Sequence, residues 1–336
     1  MGIGRIAVVG SGAIGLYYGA RLALAGEDVH FLLRSDYEAA QTNGIRVVNG
    51  RDVQHLASPR IYRYAKDIGP VDWVIVAVKS TSNAALRDIV PPLLQRNTSL
   101  LTLQNGLGNE EHLAGLFGQE RVMGGLCFVC LNRTGPAVVE NFGHGSIHLG
   151  EYGRLPQPRT HTFAQAATAA GLHIVVVNSL REARWRKQVW NVPFNGLSIV
   201  AGSVDVHQIL LDPGLRSLAA TLMEEVRMVA AGLGYRIDTS FQEEMLEKTR
   251  VMGPYRPSSL IDFDAGRPVE VEAIWGEPCR IGRNMGVPVP RLEMLYYLLK
   301  KITSARAGAA ASAPAATPDT ASPAATARLP AAAREA

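Results

Sequence analysis

The 336-residue sequence predicts an α/β domain over residues 1–180 followed by an all-α domain over residues 181–303. Three observations carry this expectation. Up to about residue 180, short β-branched runs alternate with helical stretches, as a largely parallel sheet requires. From Leu180 onward the apolar period becomes helical, with Leu218, Leu222, Val226 and Val229 or Ala230 recurring at core spacing. From Ser304 to Ala336 the chain is mostly Ala, Pro, Ser and Thr, too poor in large apolar side chains to offset the entropy of ordering. Residues 304–336 are therefore read as an Ala/Pro-rich disordered tail.

Composition narrows the class of protein. Hydrophobic residues make up 47% and charged residues 19%, and the net charge is +4 with the basic residues scattered. That balance gives no reason to expect nucleic acid or an anionic membrane as partner, although a few basic groups could serve an anionic small molecule. No apolar run approaches the roughly 18 residues of a membrane span. The N-terminus enters a strand pattern directly, so no signal peptide is expected. Cys127, Cys130 and Cys279 cannot pair completely, which suits a reducing cytoplasm. The first two form a C-x-x-C, but no second pair stands at zinc spacing and no metal is expected. The oligomeric state is not set by the sequence, and a homodimer stays open.

In chain order, the β-branched run Arg5 to Val9 ends in Gly10-Ser11-Gly12-Ala13-Ile14-Gly15 and gives way to a helical stretch, Leu16 to Ala25. Strand, G-x-G-x-x-G and helix in that order form the dinucleotide fingerprint of a Rossmann-type domain. Gly10 permits the tight turn, Gly12 lets the backbone approach a pyrophosphate, and Gly15 lets helix and strand pack closely. The free amides of the helix start then bind anionic oxygens. The second strand, Glu27 to Leu33, ends at Arg34, where an NAD enzyme would place an acid for the ribose 2′-hydroxyl. Arg34 favours the 2′-phosphate of NADP, while nearby Asp36 keeps NAD open. Further strands are expected at Val71 to Val78 and Ser99 to Leu103, with a helix from about Asn83 to Leu94 between them. Lys79 and Asn105 follow these two strands, at the ends where ligands of open α/β sheets bind. After residue 120, GGLCFVC, PAVVENF and SIHLGEY suggest more strands, some antiparallel.

The helical half opens with Trp185 to Asn195, WRKQVWNVPFN. Lys187, Asn191 and Asn195 stand at i, i+4 and i+8 and fall on one helical face. A cation between two carboxamides could give a proton to one oxygen and hold others, or the row could be a solvated stripe. Pro193 removes one helical hydrogen bond and is expected to kink the helix. Helices are also expected over Pro213 to Leu233, Ser240 to Met252, Val269 to Met285 and Pro290 to Ile302. The Gly253 to Leu260 loop, kept from helicity by Pro and Gly, can present the Ser258 hydroxyl. Glu270 falls at an expected helix start, where the macrodipole alone would explain an acid.

Taken together, GSGAIG, LLR, AVKS, QNGLGNEE, WRKQVWNVPFNGL, RPSSLIDFDAGRPVEVEAIWG and GVPVPRLEMLY resemble the ketopantoate reductase (2-dehydropantoate 2-reductase) family, in order, from about residue 3 to about 302. The resemblance implies an N-terminal NADP-binding Rossmann domain, a C-terminal helical domain, and a site in the cleft between them for a small 2-keto acid. It implies Lys187 as general acid and Glu270 beside it, Asn191, Asn195 and Ser258 on substrate, and Asn105 on both substrate and cofactor. It also implies Gly10 to Gly15 as the phosphate loop, Arg34 on the 2′-phosphate, and Cys130 at a backbone cofactor contact. Asp205 departs from the pattern, since a carboxylate near a substrate position would repel a keto acid unless it faces away. The reaction so implied is reduction of 2-dehydropantoate to (R)-pantoate by NADPH. An NADP-dependent reductase of another 2-keto acid and a non-catalytic NADP-binding sensor are the alternatives.

Overall fold

The structure, a computed structural model, describes residues 2–143 and 145–312, with only the backbone of 307–312. The chain divides after Arg184 into two compact units. The first unit is built on an eight-stranded sheet and the second is helical among the described residues.

In the first unit, β1 (Arg5–Val9), α1 (Ala13–Leu24), β2 (Asp28–Leu32), α2 (Tyr37–Asn43), β3 (Ile45–Asn49), β4 (Asp52–Leu56), β5 (Arg60–Tyr62) and α3 (Ala65–Ile68) come first. They are followed by β6 (Trp73–Val76), α4 (Leu86–Ile89), β7 (Ser99–Thr102), α5 (Asn109–Phe117), β8 (Val122–Phe128), β9 (Leu131–Gly135), β10 (Val138–Asn141), β11 (Ser146–Glu151), α6 (Pro158–Ala169) and β12 (His173–Val176). The large sheet has the order β12-β11-β8-β7-β6-β1-β2-β5. Every neighbouring pair is parallel except β8 with β11. Helices cover both faces of a parallel sheet, so its strands read as unbroken apolar runs. Ile6 to Val9 and Val74 to Val76 are accordingly buried throughout. One face packs Phe31, Ile75 and Leu101 against α1 and α6, which contributes Phe163, and the other packs Val9, Val74 and Leu100 against α3, α4 and α5, which contributes Leu113.

Two expectations for this unit need correction. The helix predicted over Asn83 to Leu94 is only α4, flanked by 3-10 turns at Ser80–Ala85 and Pro91–Leu93. Pro91 and Pro92 lack the amides that would extend α4 through its next turn. A second, four-stranded sheet of order β4-β3-β10-β9 was not foreseen. Its β3–β4 hairpin turns at Gly50-Arg51, between the paired Asn49 and Asp52, with Gly50 at φ +62°. A glycine at the first position of a two-residue turn is a hairpin signal that the sequence does contain.

The second unit takes α7 (Leu180–Val200), which starts in the first unit, α8 (Val206–Leu211), α9 (Pro213–Gly232), α10 (Thr239–Val251), α11 (Ser258–Asp264), α12 (Glu277–Asn284) and α13 (Pro290–Ser312). The carboxylate of buried Glu225 on α9 accepts the amides of Arg291 and Leu292, which open α13. That bond satisfies helix-start donors that would otherwise be buried without partners. α13 passes Ile302, where the helical pattern was expected to stop, and reaches Ser312, because the first tail residues are rich in Ala, the strongest helix former. The remainder of the predicted tail, from residue 313, lies outside the described residues. Among the described residues no helix is long and apolar enough to cross a membrane, and no group of three or more His, Cys, Asp or Glu could hold a metal.

One buried charge anchors the first unit. Glu151, at the end of β11, accepts Arg159 Nε at 2.9 Å, Arg159 Nη2 at 2.6 Å, Thr160 Oγ1 at 2.7 Å and Arg154 Nε at 3.1 Å. Burial pushes its carboxyl up, but the bonds from Arg159, Thr160 and Arg154 outweigh burial and hold it below the ordinary 4.5. A carboxylate depressed in the folded state stabilises above its unfolded value, and that contribution is lost as pH falls through the folded one. Glu151→Gln is expected to cost about 3 kcal/mol in urea unfolding at neutral pH. The gap from wild type should close progressively below about pH 5, and a gap that stays constant with pH would refute this account.

Candidate active site

The carboxyl ends of β1, β2, β6, β7 and β8 lie along one edge of the sheet. After β1 the chain winds to β2 and β5 on one side, then returns to β6, β7 and β8 on the other. The crevice outside β1 and β6 is therefore the topological switch point, where open α/β sheets bind ligands. Gly10 to Gly15, Arg34, Lys79, Asn105 and Cys130 all follow strands at this edge.

The glycine turn has the shape expected of it. Gly10 adopts φ +118°, and a Cβ there would stand 2.7 Å from the Val78 amide nitrogen. A Cβ on Gly15 would overlap the Gly10 carbonyl oxygen. Gly12 is different: a Cβ would meet only the Ala77 oxygen at 3.8 Å, so its outer side is open. Gly12 also caps α1, whose first turn carries neither a capping side chain nor an acid. Uncapped amides, a positive dipole end and an open approach suit a pyrophosphate. The residues present thus fit a dinucleotide.

At the end of β2, Arg34 is exposed and forms no ion pair among the described residues. Asp36 is 1% exposed. Its Oδ1 receives Arg133 Nη2 at 2.5 Å and Ser35 Oγ at 3.2 Å, and its Oδ2 receives the Ala137 amide at 3.2 Å. The carboxylate that kept NAD open is thereby held against β9 and the β9–β10 turn. Cys130, beyond β8, already accepts the Phe142 amide through its carbonyl at 2.9 Å.

After β7, the loop bearing Asn105 is fixed by a polar network. Gln104 Nε2 donates to Asn83 Oδ1 at 2.6 Å, Asn83 Nδ2 donates to Asn109 Oδ1 at 2.9 Å, and Asn109 Nδ2 donates to the Asn105 carbonyl at 2.8 Å. Arg184, in the second turn of α7, donates from Nη1 to the Gln104 carbonyl at 2.8 Å and from Nε to Glu110 Oε1 at 2.9 Å. Burial pushes the Glu110 carboxyl up against the opposing pull of Arg184. The sequence reading missed Asn83, Glu110 and Arg184. Glu110 stands in the QNGLGNEE motif, but nothing local marks Arg184 as its partner.

In the helical unit, Lys187, Asn191 and Asn195 lie on the unbroken α7, which runs through Pro193 to Val200. Lys187 is half-buried, Asn191 is 4% exposed and Asn195 is 1% exposed. A solvated stripe is excluded for the two asparagines. Asn195 Oδ1 accepts the Ser259 amide at 3.0 Å, in the first turn of α11. That bond holds the turn in which Ser258 is exposed. Gln188, beside Lys187, donates from Nε2 to the Ile274 carbonyl at 3.2 Å. Ile274 belongs to a π-helical turn, Glu272–Gly276, that continues directly into α12. The helix expected to open around Glu270 begins one residue later, with Glu270 half-buried just ahead of it. Pro268 and the Val271-to-Val269 backbone bond keep that stretch non-helical. Glu272 occupies the first turn instead and is engaged by Arg280 and the Tyr296 hydroxyl. Asp205 caps α8 by accepting the Gln208 amide at 2.9 Å, so its carboxylate serves that helix start.

Residues 6–154 match the family described as Ketopantoate reductase PanE/ApbA, and residues 179–303 match its C-terminal counterpart. A 2-dehydropantoate 2-reductase of Nostoc sp. is 39% identical over 305 residues, covering 88% of this chain and 94% of that protein. The crystal structure of a 2-dehydropantoate 2-reductase from Geobacter metallireducens is similar with a TM-score of 0.86 at 44% identity, over 88% of this chain and 99% of that one. Another, from Methylococcus capsulatus, gives 0.84 at 32% identity, over 90% and 97%.

The glycine geometry separates binding from folding. Gly12→Val should leave the melting transition within about 0.5 kcal/mol of wild type while abolishing dinucleotide binding by fluorescence titration. Gly15→Ala should lower the melting temperature, because the turn itself must open. Equal effects of the two substitutions on stability would contradict this division.

Proposed function

The chain belongs to the ketopantoate reductase family, and on that premise we propose that it reduces 2-dehydropantoate to (R)-pantoate with NADPH, a cytoplasmic step toward pantothenate and coenzyme A. The observation that carries the reading is the α7 row, where a half-buried ammonium shares a helical face with two nearly inaccessible carboxamides. A dinucleotide-binding protein without chemistry has no use for that arrangement.

When bound, NADPH supplies the hydride. Gly10 to Gly15 hold the pyrophosphate through the amides at the start of α1, Arg34 meets the 2′-phosphate, and Lys79, Asn105 and Cys130 line the same edge. The Lys187 ammonium sits at the ketone oxygen, stabilises the negative charge that develops there and donates the proton that completes the alcohol. Glu270 favours the charged form of Lys187 against the cost of its partial burial. Asn191 and the Ser258 hydroxyl bind the carboxylate and hydroxyl ends of the substrate, and Asn195 contributes by fixing the Ser258 turn as well as by contact. Gln188 ties the helix beside Lys187 to the π-helical turn that follows Glu270, which keeps the two elements in register. Orienting the keto group this way removes much of the entropy of reaching the transition state.

The test is NADPH oxidation at 340 nm with 2-dehydropantoate, alongside a panel of other 2-keto acids. Wild type is expected to turn over 2-dehydropantoate in preference to the rest of the panel. Lys187→Ala should lower kcat by about 100-fold to 10,000-fold with NADPH affinity unchanged. No turnover of any keto acid by a wild-type protein that binds NADPH would overturn the enzymatic reading, and preference for another keto acid would overturn the substrate.

A further inference from the structure

We infer that Arg133 sets the preference for NADPH over NADH by occupying Asp36, and so acts as a positioning residue for cofactor choice. This inference rests on the NADPH reading given above. In NAD-binding sheets of this type an acid near the end of the second strand takes the ribose hydroxyls and repels a 2′-phosphate. Asp36 is such an acid, two residues beyond Arg34 on the β2–α2 connection.

The carboxylate is committed elsewhere. Both of its oxygens are engaged, one by Arg133 and Ser35 and the other by the Ala137 amide, and its side chain is only 2% exposed. Arg133 comes from β9 of the small sheet, 97 residues along the chain, and its own side chain is 35% exposed. The amide of Ala137 reaches Asp36 from a left-handed backbone, φ +54°, which a non-glycine residue adopts at a cost. Such a residue persists only where its surroundings over-determine it, and the Asp36 contact is one such constraint. The small sheet therefore draws the acid away from the ribose and cancels its charge, and exposed Arg34 meets a 2′-phosphate without an opposing carboxylate beside it.

Loss of Arg133 would leave a buried carboxylate without a counter-charge, which is strongly unfavourable. The β2–α2 turn then relaxes until Asp36 meets water, where it repels a 2′-phosphate and accepts ribose hydroxyls.

The experiment is equilibrium titration of the full chain with 2′,5′-ADP and with 5′-AMP, which isolate the 2′-phosphate from the nicotinamide, repeated with NADPH and NADH by nicotinamide fluorescence. In Arg133→Met, 2′,5′-ADP and NADPH should weaken by about 10-fold or more, the size of one charge-assisted contact, while 5′-AMP and NADH hold or tighten. The double variant Asp36→Asn with Arg133→Met should recover most of the wild-type discrimination, because the repelling charge is gone. Arg133→Gln, which keeps a donor to Asp36 without charge, is expected to fall between, and it carries the test if Arg133→Met does not fold.

Equal weakening of both nucleotides in the Arg133 variants, or an unchanged ratio, overturns the proposal. So does a double variant as poor as Arg133→Met, since Arg133 would then be a direct phosphate ligand. A wild type that fails to distinguish 2′,5′-ADP from 5′-AMP overturns the NADPH reading and the proposal together.

Discussion

Arg184 and Glu110 face one another with 4% and 5% of their side chains exposed, and the third bond of the arginine goes to the Gln104 carbonyl. Moving two charges out of water is costly, and a buried pair recovers that cost only when its remaining donors are also satisfied. Here the first turn of α5 places Glu110 where the helix dipole favours an anion, and Arg184 uses Nη1 on the backbone that leads into Asn105. Room for the pair comes from Gly124 on β8, where any Cβ would overlap the Glu110 carboxylate and press on Leu180. The pair thus contributes position more than net stability. It fixes the β7–α5 loop to the second turn of α7, within the first unit.

Much of this molecule is legible locally. The glycine turn, the strand periods and the i, i+4, i+8 row on α7 each lie within a dozen residues, where spacing alone reports geometry. What escaped the sequence reading depends on partners distant along the chain. The small sheet pairs β3 with β10 across some ninety residues, and no local pattern says which runs will meet. Asp36 looked available to a ribose because Arg133 lies 97 residues away. Burial is equally hidden, since the helical pattern could place Asn191 and Asn195 on one face but could not decide between water and protein. The α4 region failed for another reason, as its apolar spacing is helical while Pro91 and Pro92 remove the required donors.

Two asparagines suit the interior of α7 better than charged residues would. A carboxamide can donate and accept at once, and its burial costs far less than burial of an unpaired ion. Asn195 shows this economy directly, because its oxygen holds the α11 turn while its amide nitrogen remains for other use. Lys187, nearest the exposed end of the row, is left as its one cation. Charge on this face is thereby confined to its half-buried position.

The π-helical turn at Glu272–Gly276 carries a consequence for how the chain tolerates change in length. Such a turn is what a helix becomes when it accommodates one residue more than its hydrogen-bond ladder allows, and it leaves a carbonyl in need of an outside donor. Gln188 serves the Ile274 carbonyl, while the indole of Trp275 donates to Val192 of α7 at 2.9 Å. Removing one residue from the turn would restore a regular helix but rotate everything on one side of it by about 100°. Trp275 and the residues of α12 would then face the wrong neighbours. Alignments of relatives that open a one-residue gap between Glu270 and Trp275 therefore mark a change of helical phase, and the pairing of α7 with this turn would have to be rebuilt in such chains.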